Sequence, residues 1–398
     1  MNDDYYLVCL SHLRWSFVYQ RPQHLLSRCA RERRVFFVEE PVFGDGPNHI
    51  ELTKTDEGVI VAVPHLLLGT PLEEVETQQR EMLRGLLASE QIERFVLWYY
   101  TPMALPIAEG LSPLAIVYDC MDQLSAFRGA PPALIERERE LLDEADVVFT
   151  GGHALYEEKK HLHNNIHPFP SSVDVPHFAQ ARAQQPQPED QAPISGPRLG
   201  FFGVIDERMD LELLAGVAAA RPDWQLVILG PVVKISEDEL PRLANIHYLG
   251  SKSYRELPRY IAGWDAALLP FARNESTKFI SPTKTPEYLA AGKPVVSTSI
   301  KDVVRPYEQL GLVRIADTVD TFVAACQAAL DEPAAARLAS ADSFLADLSW
   351  DKTWQEMQAQ LQVALTARRR GEAKRRMPRV RATRRPGDAE QSAAAGGK

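Results

Sequence analysis

Short apolar runs of three to five residues recur along this chain, with amphipathic stretches of helical spacing between them. That alternation is what most limits the folds open to it. In the first half the runs fall at 6–10, 35–39, 59–63, 95–99, 115–118 and 147–150, and helical patterns occupy 21–31, 74–89 and 132–145. In the second half they fall at 198–202, 225–229, 246–249, 266–270, 294–297 and 313–315, with helical patterns over 209–220, 254–263, 286–291 and 319–331. Most runs are apolar at every position, as strands covered on both faces are. Strand–helix alternation with such strands predicts parallel sheets in an α/β architecture, one doubly wound unit in each half.

The boundary between the halves shows in composition. Residues 179–197 are rich in Ala, Gln and Pro with little apolar bulk, which reads as an interdomain linker or a long exposed loop. The expected organisation is therefore a first domain over 1–178, a linker over 179–197, a second domain over 198–366 and a tail over 367–398. Ser349 sits where it would cap a final helix that opens at Trp350. From Arg368 to Lys398 eleven Lys or Arg face three acids, a balance of +8. The whole chain carries −10, so residues 1–367 carry −10 − 8 = −18. The tail lacks apolar content and is expected to be disordered. No run approaches the roughly 18 apolar residues that a membrane span needs. The N-terminus has no basic flank of the kind a signal peptide carries. Cys9, Cys29, Cys120 and Cys326 are widely separated and show no metal-binding spacing, so a reduced, cytoplasmic protein without a metal centre is expected.

The segment from Ser281 to Val296, SPTKTPEYLAAGKPVV, carries the densest chemistry. Pro286 suits a first helical turn, with Glu287 in that turn and Lys284 in the loop before it. Ser281, Thr283 and Lys284 would surround an anion such as a phosphate at the helix start. Glu287 could accept hydrogen bonds from sugar hydroxyls. Ordinary capping and dipole chemistry would also place an acid there. The flanking apolar runs put the segment in a strand–loop–helix–strand unit, and the carboxyl ends of such strands are where open α/β sheets bind ligands. A similar turn follows the strand at 198–202. Gly203 would let the backbone approach a pyrophosphate, and Arg208 would neutralise it. Arg208 and Lys284 lie in different turns of one half, so both can reach one diphosphate and stabilise its charge on departure. In the first half, Asp119 closes a strand and Asp122 follows in the loop, positions suited to acid–base work or hydroxyl orientation, or simply to capping a turn. Trp98, Tyr99 and Tyr100 suit either sugar stacking or core packing.

Gly203, Arg208, the 281–296 segment and Ser349-Trp350 resemble the donor-binding domain of retaining GT-B glycosyltransferases of the family 4, or group 1, class. In the first half, the segments 15–24, 38–41, 98–102 and 118–122 resemble a subset tied to exopolysaccharide and teichuronic-acid-type synthesis. The resemblance covers about residues 5–366. It implies two Rossmann-like domains of GT-B type facing across a cleft. Glu287 matches the second glutamate of the class's E-x7-E motif, which holds the donor ribose. The first glutamate of that motif, which usually faces the transferred sugar, would fall at 279, and this chain has Phe279 there; Glu275 is nearby but out of register. Asp174, in PSSVD, stands where the class often has Asn-Gly-Val-Asp. Lys284 and Arg208 take the basic positions on the donor diphosphate. His12, Gln20 and Arg21, with Tyr100 and Asp122, form the acceptor side, and Arg21 could equally be a surface residue beside a capped helix. Asp119 stands near a position where many relatives have a histidine beside the transferred sugar.

The resemblance implies a metal-independent, retaining transfer from a nucleotide-diphosphate sugar to a saccharide or lipid-linked acceptor, in cell-surface glycan synthesis, with no cofactor. Asp119, Arg208 and Lys284 would carry the chemistry. A nucleotide-sugar epimerase of the same fold, or a catalytically degenerate nucleotide-binding protein, would share the diphosphate site. The basic tail, lacking aromatics, argues against nucleic acid; it would hold the protein at anionic lipid on the inner face of the membrane, or it is a solvated and idle segment.

Overall fold

The computed structural model describes residues 5–369, and the basic segment 370–398 lies outside them. The first half contains β1 (Tyr6–Leu10), β2 (Val35–Val38), β3 (Val42–Gly44), β4 (His49–Lys54), β5 (Ile60–Leu67), β6 (Phe95–Tyr99), β7 (Ala115–Cys120), β8 (Val147–Thr150) and β9 (Ile166–Pro168). They form one sheet in the order β3-β5-β2-β1-β6-β7-β8-β9, in which β4 alone runs antiparallel, against β5. The second half contains β10 (Arg198–Phe202), β11 (Gln225–Leu229), β12 (Ile246–Tyr248), β13 (Ala266–Leu269), β14 (Val295–Ser297) and β15 (Arg314–Ile315). Their order is β12-β11-β10-β13-β14-β15, all parallel. Counted within that half this is 3-2-1-4-5-6, the doubly wound arrangement whose ligand crevice opens where the strand order reverses. Among the described residues no helix is long and apolar enough to cross a membrane.

The uniformly apolar strands are explained by two-sided burial. Val8 and Leu10 of β1 pack in one apolar cluster, and Leu7 and Cys9 in another on the opposite face. The second face is covered by the helices Arg21–Ala30 and Trp350–Arg369. Trp350, Trp354, Met357, Leu361, Ala364 and Leu365 recur at helical spacing and are all buried against the first sheet. The sequence places this helix with the second half, and the structure corrects that: the chain crosses back to the first domain. Each large side chain buried there contributes about 1.5–3 kcal/mol. The helix also continues to Arg369, so residues 367–369 belong to it and not to the tail. Ser349 Oγ accepts from the Lys352 N–H at 3.1 Å, the expected cap.

The segment between the halves is pinned at a few points, with Ala181, Pro188, Gln191 and Ile194 buried and most of its other residues exposed. Gln191 is fully buried, donating to the Tyr260 carbonyl at 3.0 Å and accepting from the Trp264 indole at 2.9 Å. Its polar composition hid this role, because the amides satisfy buried groups rather than solvent. The sequence also passed over β3, β4 and β9 and the helices His153–Lys159 and Ala334–Leu345, which are short or weakly patterned.

Candidate active site

At the switch point of the second sheet, β10 ends in Gly203 and β11 in Gly230, with φ of +140° and +138°. A side chain at Gly203 would place its Cβ 2.2 Å from Lys284 Cε, and one at Gly230 would meet the Gly203 carbonyl oxygen at 1.9 Å. Only glycine fits either position. The space left by Gly203 is filled by the Lys284 side chain, whose Nζ lies 5.6 Å from the centre of the Phe201 ring. The helix that carries Lys284 runs Lys284–Ala290, two residues earlier than its sequence pattern predicts. Pro286 is tolerated as its third residue because the first N–H groups of a helix have no internal partner.

Two cations and one carboxylate define the site. Arg208 is held by Asp206 through Nε at 3.0 Å and 3.1 Å and Nη2 at 2.7 Å. Burial pulls the Lys284 ammonium below its usual range, with Arg208 adding to that and Glu287 opposing it. Burial pushes the Glu287 carboxyl up, against the pull of Lys284. Glu287 is 4% exposed, and its Oε2 has no hydrogen-bond partner among the described residues. A buried oxygen without a partner at a cleft wall is an acceptor waiting for a ligand donor. Gly203, Arg208, Thr283, Lys284 and Glu287 all line a cleft of about 860 Å³ between the domains, and its opposite wall is the loop Trp15 to Gln20.

That loop follows β1 at the first sheet's own switch point. Gln20 ends it, capping the helix Arg21–Ala30 by a reciprocal bond in which its N–H donates to Gln23 Oε1 at 3.0 Å. His12 is half-buried; burial and the nearby Lys234 lower its pKa to about 4, so its ring is neutral at pH 7. Burial raises the Asp122 carboxyl, and Arg208, Arg21 and Lys284 oppose that rise. Nearby, the Phe127 ring lies between Arg208 and Lys234, at 5.4 Å and 4.7 Å, and the Arg128 N–H donates to Glu207 Oε1 at 3.2 Å. These contacts bring the two domains together around the diphosphate-sized space.

Other sequence-derived candidates lie elsewhere. Asp119 is fully buried and bound to Arg21 at 2.8 Å, while Arg21 Nη1 donates to the Phe169 carbonyl at 2.7 Å. The expectation of a cleft-facing Asp119 and an anion-binding Arg21 is corrected: each satisfies the other's charge inside the first domain. Tyr100 is 1% exposed and packs in the core with Trp98, so neither ring is available to stack on a sugar. Ser281 sits at the domain boundary, where its carbonyl accepts from Ser171 Oγ at 2.9 Å. Beside it Asp302 accepts from the N–H groups of His153 and Ala154 at 2.9 Å and 2.8 Å, capping a helix of the other domain. Phe279 is buried in the first domain's apolar cluster, so this aromatic packs across the domain boundary at the position where the E-x7-E motif has its first glutamate. Asp174 accepts from the His177 N–H at 3.2 Å, capping the short helix that begins the crossing between domains.

Sequence reasoning missed Asp206, Gly230, Tyr19, Tyr254 and His177. Gly230 was findable, since it follows an apolar run as Gly203 does. Asp206, two residues from Arg208, gave no signal of its own. The three rings converge from distant segments.

Residues 196–332 match the family model described as Glycosyl transferases group 1. The chain is 27% identical over 263 residues to the Bacillus subtilis (strain 168) protein assigned to teichuronic acid biosynthesis as glycosyltransferase TuaH, which covers 62% of this chain and 66% of that one. Among solved structures, sucrose-phosphate synthase of Thermosynechococcus elongatus superposes with a TM-score of 0.70 at 15% identity, over 92% of this chain and 100% of that one. HepE of Anabaena, solved in complex with UDP, gives 0.60 at 12% identity, over 90% and 100%. Together with the paired doubly wound sheets, these matches give the chain the GT-B fold of the structures it superposes on, with a region similar to group 1 glycosyltransferases at residues 196–332.

Proposed function

We propose that this protein transfers a sugar from a nucleotide-diphosphate donor to a saccharide or lipid-linked acceptor in cell-surface glycan synthesis, with retention and without a metal. The observation that carries this reading is the convergence of Lys284, Arg208 and the unpartnered Glu287 carboxylate on one interdomain cleft beside Gly203. Lys284 and Arg208 would take the charge that develops on the departing diphosphate, and fixed cations do so without reorganising. Glu287 would hold the ribose. Asp122 and the neutral His12, from the first domain, would face the transferred sugar and the acceptor hydroxyl. Closure of the loop Trp15 to Gln20 over the cleft would keep water from competing as acceptor. The similarity to TuaH supports a cell-surface glycan acceptor, and the basic charge of residues 367–398 supports a place at anionic lipid.

Phe279 favours a second reading, binding without transfer, because the residue at that position is turned into the first domain's apolar cluster. One experiment separates the two. Thermal shifts with UDP, GDP, ADP, TDP and pyrophosphate, in EDTA, would identify the nucleoside, and the matching radiolabelled sugar donors would then be incubated with membranes. Label entering lipid or polymer supports transfer. Stabilisation without label transfer supports the binding protein, and no stabilisation by any nucleotide removes both.

A further inference from the structure

Beside Glu287 the cleft carries a second unpartnered polar atom. The hydroxyl of Tyr254 is buried and makes no hydrogen bond among the described residues, and Tyr254 lines the same cleft as Glu287. Burial, with the Glu287 charge adding to it, pushes the Tyr254 phenol far above its usual range. The phenol therefore keeps its proton at any working pH and can both donate and accept.

The ring is held in a fixed place. On one side it stacks on His177, centroids 4.2 Å apart and planes 10° apart, and His177 is itself anchored by a 2.9 Å bond between Nε2 and the Tyr254 carbonyl. On the other it stacks on Tyr19, from the first domain's cleft loop, at 4.5 Å and 26°. Phe178 meets its edge at 5.6 Å. With His24 also meeting the ring at 5.5 Å, four aromatic contacts leave the hydroxyl little freedom, and such rigidity is what a reading group requires.

We infer that Tyr254 and Glu287 together read the two adjacent hydroxyls of the donor's ribose, so that the site selects ribonucleotides over deoxyribonucleotides. The carboxylate oxygen would accept from one hydroxyl and the phenol would pair with its neighbour. A deoxyribose would leave one of two buried polar atoms without a partner, and leaving such a group unmet costs more than a hydrogen bond gains. Because Tyr19 supplies one face of the clamp, the reading geometry is complete only when the two domains meet. The inference rests on the nucleotide-diphosphate donor proposed above.

Calorimetric titration of the full chain with UDP, GDP and ADP, and with the 2′-deoxy and 3′-deoxy forms of whichever binds, tests it. The ribonucleotide should bind at least about tenfold tighter than one of its deoxy forms, the value of one hydrogen bond to a buried group. Tyr254→Phe keeps the ring and removes only an unpartnered hydroxyl; it should close most of the gap for the one deoxy form that lacks the hydroxyl the phenol meets, and leave pyrophosphate affinity unchanged. Tyr19→Leu, which spares the hydroxyl but removes the stack, should also narrow the gap. Equal binding of ribo and deoxy forms by the native chain, or gaps for both deoxy forms that survive Tyr254→Phe, overturns the assignment while leaving the nucleotide site standing. If no nucleoside diphosphate binds, the nucleotide donor itself is refuted, and this reading with it.

Discussion

Replacing Asp119 by Asn separates a structural role from a chemical one. Asp119 has no exposed surface, and Arg21 is 2% exposed. The pair is joined by Nε contacts of 3.0 Å and 3.1 Å and an Nη2 contact of 2.8 Å. Asn keeps the shape and removes the charge, leaving the Arg21 guanidinium buried without its counterion. Breaking a buried pair from one side costs about 3–5 kcal/mol. Domain stabilities run to about 5–15 kcal/mol, so the loss is a large share of the total. At a urea dependence of about 1–3 kcal/mol per molar, the midpoint of the first domain should fall by about 1–5 M. Tryptophan fluorescence would report it, since Trp98, Trp350 and Trp354 lie in that domain's core. The double change Arg21→Met with Asp119→Leu removes both charges and should cost less than Asp119→Asn alone, as apolar replacement of buried pairs commonly does. An Asp119→Asn protein with the native midpoint but no transfer would refute the reasoning and return Asp119 to the chemistry.

Three further outcomes are expected. Gly203→Ala should weaken diphosphate binding by at least about tenfold, because its Cβ would fall 2.2 Å from Lys284 Cε at a φ that side chains avoid; unchanged affinity in titration would mean that Lys284 is not the diphosphate ligand. Burial lowers the Lys284 pKa in the free protein, and a bound diphosphate would restore the charge, so binding takes up a proton and must weaken as pH rises. The weakening should set in near pH 8, where the free lysine titrates, and continue up to the ordinary lysine range, and Lys284→Arg should abolish it; a flat profile for the native protein would count against the lysine. Phe279→Glu should not restore a sugar contact but should destabilise the protein by about 2 kcal/mol or more, since it places a carboxylate in the first domain's apolar cluster. A gain in transfer with unchanged melting would show that position 279 faces the cleft after all.

Period and composition carried the fold. Apolar runs with helical stretches between them can be buried on two faces only in parallel α/β layers, and ten of the twelve runs lie at strands within one residue of their expected ends. The diphosphate cations were legible for the same local reason, because each follows a strand whose carboxyl end the alternation had already located. Short edge strands such as β3 were not legible, since three residues carry no period. Asp119 and Arg21 look alike on paper whether they face a cleft or each other, and only their meeting across 98 positions of chain decided it. The same holds for the last helix, which crosses to the first sheet, for Phe279 as a wedge between domains, and for Tyr254 clamped by Tyr19 and His177. The sequence determined what each segment would become, because backbone geometry and burial period are local. Tertiary structure decided which polar groups are spent on one another and which are left facing the cleft, because charge pairing and desolvation depend on neighbours that the order of residues does not name.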